Sequence, residues 1–261
     1  MKNLKKRLKQ GETLHGCWLN LGSAVTAEIV GRAGFDWVLI DLEHGAGEEK
    51  DVMSQLQALE HSNTAALVRV ESAAGQRIHR VLDMGAEGIM CPHINNGREA
   101  AMVAKGLHYP PAGTRGVAKM VRATGFGQHF AEYYASATEN ILGIVQIETA
   151  QALDHLDEIA AVPNIDVLFI GPADLSMDLG IFGQFDHPRF KDALRATVNA
   201  AQKAGKATGI LFFNPDDYTT YHQLGIRFIG CGADATFVAD GSRAMAARMQ
   251  AMRSTHNAGK P

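Results

Sequence analysis

The sequence predicts a (β/α)8 TIM barrel, and three observations carry that expectation. Eight short apolar runs alternate with helix-patterned stretches, the order of a parallel α/β fold. The chain has 261 residues, close to the roughly 250 typical of one closed barrel. No GxGxxG follows the first run, as an open dinucleotide-binding sheet would want. One domain over residues 1–261 is expected, with its core at about 14–253 and 254–261 as a disordered tail.

The elements follow in order. The basic start MKNLKKRLKQ lacks the apolar segment of a signal peptide and reads as a solvated helix with Leu4 and Leu8 tucked in. Gly16–Leu21 is the first strand, and Ser23 then opens a helix ending at Gly34. Trp37–Asp41 is the second strand, followed by LEHG and a helix from Glu48 to His61. Ala65–Val70 and Gly88–Pro92 are the third and fourth strands, trailed by helices over 74–84 and 98–107. A long irregular stretch, Tyr109–Gly127, comes next, and loops of that length usually carry function. Tyr133 falls in a short helix before the fifth strand, Leu142–Ile147. One helix, Ala150–Ala161, leads to the sixth strand, Val167–Ile170. After a loop over 175–188 come a helix to Ala204, strands at 207–212 and 228–231, and a final helix over 236–252.

Bulk properties narrow the class. Hydrophobic residues are 46% and charged residues 20%, with a net charge of −3. That balance gives no electrostatic case for nucleic acid or an anionic membrane. No apolar run approaches the ~18 residues of a membrane span. Cys17, Cys91 and Cys231 are far apart in apolar runs and read as free thiols of a reducing compartment. A cytoplasmic protein is expected.

In a barrel the site is built at the carboxyl ends of the strands. Those ends hold Asp41, Glu43 and His44, then Arg69, then Gln146 and Glu148, then Asp174. Period two puts Gln146 and Glu148 on one face. The βαβ unit places Glu148 and Asp174 on neighbouring strands, about 4.8 Å apart. Two such carboxylates repel, and a divalent cation with oxygen ligands holds both ionised. No His or Cys accompanies that pair at strand-end spacing, which disfavours a zinc tetrahedron. A metal beside Arg69, with His44 steadied by Asp41 as a proton carrier, describes enolate formation next to a carbonyl. The turn Gly171–Asp174 offers N–H groups for a carboxylate, so the substrate is a 2-oxo acid. No lysine lies at these ends, which argues against a Schiff-base aldolase.

DLEH at 41–44, VRV at 68–70, YPPAGTRG at 109–116, VQIET at 145–149 and GPADLS at 171–176 resemble the HpcH/HpaI family of class II, metal-dependent pyruvate aldolases. The likeness runs from about Gly16 to Met252. It implies a barrel of the phosphoenolpyruvate/pyruvate-binding superfamily, assembled as a homo-hexamer (a trimer of dimers) with the last helix swapped onto a neighbour. It implies Mg²⁺, Mn²⁺ or Co²⁺ on Glu148 and Asp174, with Gln146 in support. Arg69 would hold the keto oxygen and the enolate. His44, paired with Asp41, would act as acid and base through a metal-bound water. The N–H groups of Ala173 and Asp174 would bind the carboxylate, Leu211 would lie over the substrate, and Asp83 would reach the neighbour's site.

The likeness further implies a small 2-oxo acid and an aldehyde as partners: 4-hydroxy-2-oxoheptanedioate or 2-keto-3-deoxy sugar acids, with hydroxypyruvate as a further donor. The aldehyde half is the open part, because the loop GAGEEK after His44 and His93 in CPHINN depart from the family pattern. Two rivals remain. An oxaloacetate decarboxylase or acyl-CoA lyase would use the same enolate site, although no basic cluster near the strand ends suits the phosphates of CoA. A non-catalytic metabolite-binding barrel would not need the His44–Asp41 pair.

Overall fold

The computed structural model describes residues 2–212 and 214–258. Eight parallel strands close on themselves in sequence order. They are β1 (Leu14–Leu19), β2 (Trp37–Asp41), β3 (Ala65–Arg69), β4 (Gly88–Cys91), β5 (Leu142–Ile147), β6 (Val167–Ile170), β7 (Ala207–Phe212) and β8 (Phe228–Ala233). The first lies two residues earlier than expected and the last runs two residues longer. The helices are α1 (Leu4–Lys9), α2 (Ala24–Gly31), α3 (Glu49–Ala58), α4 (Gly75–Asp83), α5 (Gly97–Leu107), α6 (Phe130–Asn140), α7 (Ala150–Asp154), α8 (Leu156–Ala161), α9 (Pro172–Asp178), α10 (Pro188–Lys203), α11 (Tyr218–Leu224) and α12 (Asp234–Ala258).

Alternation along the strands sorts the apolar residues into two layers. Leu14 and Trp18, Trp37 and Leu39, Leu67, Ile144, Phe169 and Phe228 fill the barrel interior. Their neighbours Cys17, Val38, Ile40, Val68, Val145 and Leu168 face the helices. Small residues make room inside: a Cβ at Gly16 would run into the Trp37 ring. That ring instead stacks on Phe228, with centroids 4.2 Å apart. The same inward rows, continued by one or two residues, end in polar groups. Trp37 and Leu39 lead to Asp41, Leu67 leads to Arg69, and Ile144 leads to Gln146 and Glu148.

Several elements differ from their expected form. The basic helix α1 is not merely solvated: Lys5 is buried, 3.2 Å from Asp166, and donates to the carbonyl of Thr138. It closes the amino end of the barrel, with Leu4 packed into the interior layer. The helix expected over 150–161 breaks at His155, whose N–H turns back to the carbonyl of Ala152 and whose Nδ1 lies 2.8 Å from that of Gln151. The loop expected from Leu175 is helical to Asp178, because Pro172 at the first position favours a helix start. The last helix continues through Ala258, so residues 254–258 extend it rather than forming a tail, while 259–261 lie outside the described residues. Ser254 supports the extension by donating to the carbonyl of Gln250. Among the described residues no helix is long and apolar enough to cross a membrane.

The motif YPPAGTRG serves as an anchor. Arg115 is fully buried, donates to Asp83 at 2.7 Å and to the Tyr133 hydroxyl at 3.0 Å, and lies over the Tyr109 ring. Asp83 ends α4, which puts it near the amino ends of the strands and away from its own chain's His44 and Arg69. His108, in the same stretch, is buried with no hydrogen-bond partner for its ring among the described residues, and burial with Lys5 and Arg115 nearby lowers its pKa to about 4. It is therefore neutral at physiological pH.

Candidate active site

At the carboxyl ends of the strands a cavity of about 320 Å³ is lined by His44, Arg69, Gln146, Ala173, Asp174 and Leu211, all expected from the sequence. Gly171 and Pro172 of the expected turn also line it, and Trp18, Asn20, Phe169, Gly232, Ala233 and Thr236 join them without a prior expectation. Asn20 had a readable signal, since it is the polar residue one step past β1 on the inward row of Leu14 and Trp18.

Arg69 is the electrostatic centre. Register pairs Asp41 with Arg69 across β2 and β3. The guanidinium meets the carboxylate bidentately, Nε to Oδ1 at 2.8 Å and Nη2 to Oδ2 at 2.7 Å. Nη1 lies 2.9 Å from Glu43 and donates to the Gln146 side-chain Oε1 at 3.4 Å. Burial alone would raise the Asp41 carboxyl, but the bonds and charge of Arg69, with the N–H groups of Glu43 and His44, hold it below the usual range.

This corrects the expected pairing of His44 with Asp41. Only the backbone N–H of His44 reaches that carboxylate, at 3.3 Å. Oδ1 also accepts from Glu43 N and Arg69, and Oδ2 from Arg69 and Asn20 Nδ2. No lone pair is left for an imidazole. The ring of His44 is instead open to solvent, its Nε2 3.8 Å from Glu43. Glu43 is thus a site residue whose role the sequence did not disclose, and so is His93. The His93 ring stands 3.7 Å from Glu43 and 3.3 Å from Glu148.

Glu148 is fully enclosed. Oε1 accepts the backbone N–H of His93 at 2.7 Å, and Oε2 accepts from Gln146 Nε2 at 2.7 Å. Gly171 leaves room for it in this position, because a Cβ there would run into Oε2 and the carboxylate would have to shift. Burial raises the Glu148 carboxyl above its ordinary 4.5, Asp174 and Glu43 add to the rise, and His93 opposes it. The donor set is therefore acidic, oxygen-rich and short of compensating charge, which fits a hard divalent cation. Among the described residues no three His, Cys, Asp or Glu side chains are grouped to hold a metal. A cation here would take Glu148, Asp174 and oxygens from water or substrate, an open coordination suited to catalysis.

A closed barrel with a buried arginine and the carboxyl groups of Glu148 and Asp174 at its carboxyl end suits the class of enzyme that works on a carbonyl compound by stabilising negative charge on oxygen. Comparison with known proteins gives the same class. Residues 14–241 match the HpcH/HpaI aldolase/citrate lyase family. The chain is 40% identical over 245 residues to a hydroxypyruvate/pyruvate aldolase of Agrobacterium fabrum, covering 94% of this chain and 92% of that protein. It is 38% identical over 254 residues to a 4-hydroxy-2-oxo-heptane-1,7-dioate aldolase of Klebsiella pneumoniae, covering 97% and 94%. A crystal structure of a family protein from Burkholderia cenocepacia superposes with a TM-score of 0.90 at 36% identity, over 96% of this chain and 100% of that one. The protein belongs to the HpcH/HpaI aldolase/citrate lyase family and is an aldolase, a carbon–carbon lyase. The family is generally dependent on a divalent metal.

Proposed function

We propose that the enzyme reversibly cleaves 4-hydroxy-2-oxo acids to pyruvate and an aldehyde through a pyruvate enolate. The observation that carries this reading is the buried guanidinium of Arg69, held in a bidentate pair and lining a cavity shared with Asp174. A fixed cation of that kind stabilises negative charge that develops on a carbonyl oxygen. In the cleavage direction the C4 hydroxyl gives up its proton and becomes the aldehyde carbonyl as the C3–C4 bond breaks. The bonding pair moves onto the C2 oxygen, where Arg69 meets it. C3 then takes a proton and becomes the pyruvate methyl group. His44 is the group assigned to move these protons, since an imidazole can both accept and donate a proton and this one lines the cavity.

The substrate carboxylate is assigned to the N–H groups of Ala173 and Asp174, the first of α9 after Pro172. Leu211, with Trp18 and Phe169, supplies an apolar wall. Mg²⁺, Mn²⁺ or Co²⁺ bound by Glu148 and Asp174 would supply a Lewis acid that polarises the C2 carbonyl. Substrates resembling 4-hydroxy-2-oxoheptanedioate or 2-keto-3-deoxy sugar acids are assigned by the relatives' names and the family resemblance, and hydroxypyruvate as a second donor by the Agrobacterium relative. The test is a panel of such acids read by pyruvate release, with and without EDTA. Release that stops on chelation and returns with Mn²⁺ is expected. An unchanged rate after thorough chelation would exclude the metal-dependent mechanism.

The assembly we propose is a homo-hexamer in which α12 packs on a neighbouring barrel and Asp83 lies near the neighbour's site. Phe237, Val238, Met245, Met249 and Met252 are about half exposed along α12, an apolar surface that a single chain leaves uncovered. Light scattering of the intact chain should report an oligomer, and removal of residues from Thr236 onward should disrupt it. A stable monomer of the intact chain would contradict the proposal.

A further inference from the structure

Arg69 is joined to the start of the last helix by side chains that no step above uses. The Thr26 hydroxyl on α2 donates to Asp234 Oδ2 at 2.7 Å. Asp234 Oδ1 accepts the backbone N–H of Asn20 at 2.7 Å and that of Ala235 at 2.8 Å. Asn20 Nδ2 donates to Asp41 Oδ2 at 2.7 Å, the same oxygen that receives Arg69 Nη2. The path thus runs from α2 and α12 through the end of β1 to the guanidinium without a gap.

A helix-capping role explains only part of this. Asp234 uses one contact on its own helix, and two reach other elements. Asp234 is also the one buried residue of α12 between 234 and 254, so the helix is seated on its own barrel mainly through this turn. At the other end Asn20 decides a geometric question. Glu43 N and His44 N fix Oδ1 of Asp41, but among the described residues Oδ2 has only Asn20 and Arg69. Without the amide, Oδ2 keeps only Arg69, and the carboxylate and its bidentate guanidinium can tilt together against the remaining contacts of Nη1 with Glu43 and Gln146. A guanidinium turned out of plane aims its remaining Nη2 N–H away from the oxygen on which charge develops, and catalysis is sensitive to displacements of that size.

The geometry points to Asn20 and Asp234 as positioning residues for Arg69, which makes the seating of the first turn of α12 a determinant of the active site. The kinetic part of the test rests on the enolate reaction proposed above, and the crystallographic part does not. Crystal structures of Asn20→Ala and Asp234→Asn, without substrate, should show the Arg69 guanidinium displaced or divided between rotamers while the strands stay in place. A guanidinium unmoved in both variants overturns the inference. In the kinetic arm, Asn20→Ala should lower kcat for oxaloacetate decarboxylation about tenfold, the scale of one lost hydrogen bond to a charged group. The effect should fall on kcat more than on KM. In an Arg69→Lys background the same substitution should cost less than about twofold, because the group it positions is gone. Equal losses in the two backgrounds also overturn the inference, since a merely structural residue acts independently of Arg69. If the unaltered enzyme processes neither oxaloacetate nor pyruvate, the functional reading fails and the crystal structures alone decide.

Discussion

Arg69→Ala is expected to slow oxaloacetate decarboxylation and the exchange of pyruvate methyl protons alike, each by about 10²–10³, the usual cost of losing a donor to a developing oxyanion. His44→Ala should separate the two reactions. Exchange requires removal of a methyl proton, and His44 is the group assigned to take it. Oxaloacetate reaches the same enolate by losing CO2, so no proton leaves carbon. Both routes place negative charge on the C2 oxygen, and Arg69 faces that charge in each. The alanine variant also strands Asp41, a buried carboxylate whose cation is gone, and such a loss is destabilising. Arg69→Lys is therefore the second variant: it retains the charge, should fold, and should remain well below full activity because a point charge does not reproduce a planar fork. The measurement is proton exchange by NMR in deuterated buffer beside decarboxylation of oxaloacetate. Equal losses for His44→Ala in both assays would move the base elsewhere, with His93 the next imidazole, 3.3 Å from Glu148.

Much of the barrel was legible because its signals are local. Strands β2, β5, β6 and β7 have the boundaries that their apolar runs predict, and period two correctly sends Gln146 and Glu148 to one side. What the residues do to one another across strands was less accessible. Asp41 and His44 are three apart, so a local reading pairs them. The register of β2 against β3 instead sets Asp41 beside Arg69, and a bidentate guanidinium outcompetes an imidazole for a buried carboxylate. His93 could not be placed from sequence either. Its backbone turns into the left-handed region, at φ 53°, and only that turn aims its N–H at Glu148. The burial of Lys5 depends on Asp166, 161 positions later, and no pattern within α1 discloses it.

Glu148→Gln is expected to abolish cation binding and retro-aldol activity and, in the metal-free protein, to raise the melting temperature. Glu148 is 2% exposed. Burial raises its carboxyl above 4.5, and Asp174 and Glu43 add to the rise. A carboxyl raised on folding makes the folded chain take up a proton, so the sign is opposite to that of an ordinary ion pair. The penalty is absent below the unfolded value, grows as pH rises towards the folded value, and is complete above it. At pH 8 the unaltered metal-free enzyme carries this penalty and the glutamine variant does not, although its amide NH2 replaces one oxygen that accepts from His93 N–H or Gln146 Nε2 and so offsets part of the gain. Each 1 kcal/mol of difference shifts the melting temperature by about 2–4 °C in a chain of this size. The gap should close as the pH is lowered towards 4.5. Adding Mn²⁺ should reverse the order, because ligand at a hundredfold over its Kd stabilises the binding-competent chain by about 2.7 kcal/mol and leaves the variant unchanged. Cation affinity of the unaltered enzyme should itself fall with pH as Glu148 takes up its proton. Thermal scans of both proteins across pH 4.5 to 8, with EDTA and then with Mn²⁺, make the measurement. A gap that ignores pH, together with an equal shift of both proteins by Mn²⁺, would remove Glu148 from the cation site.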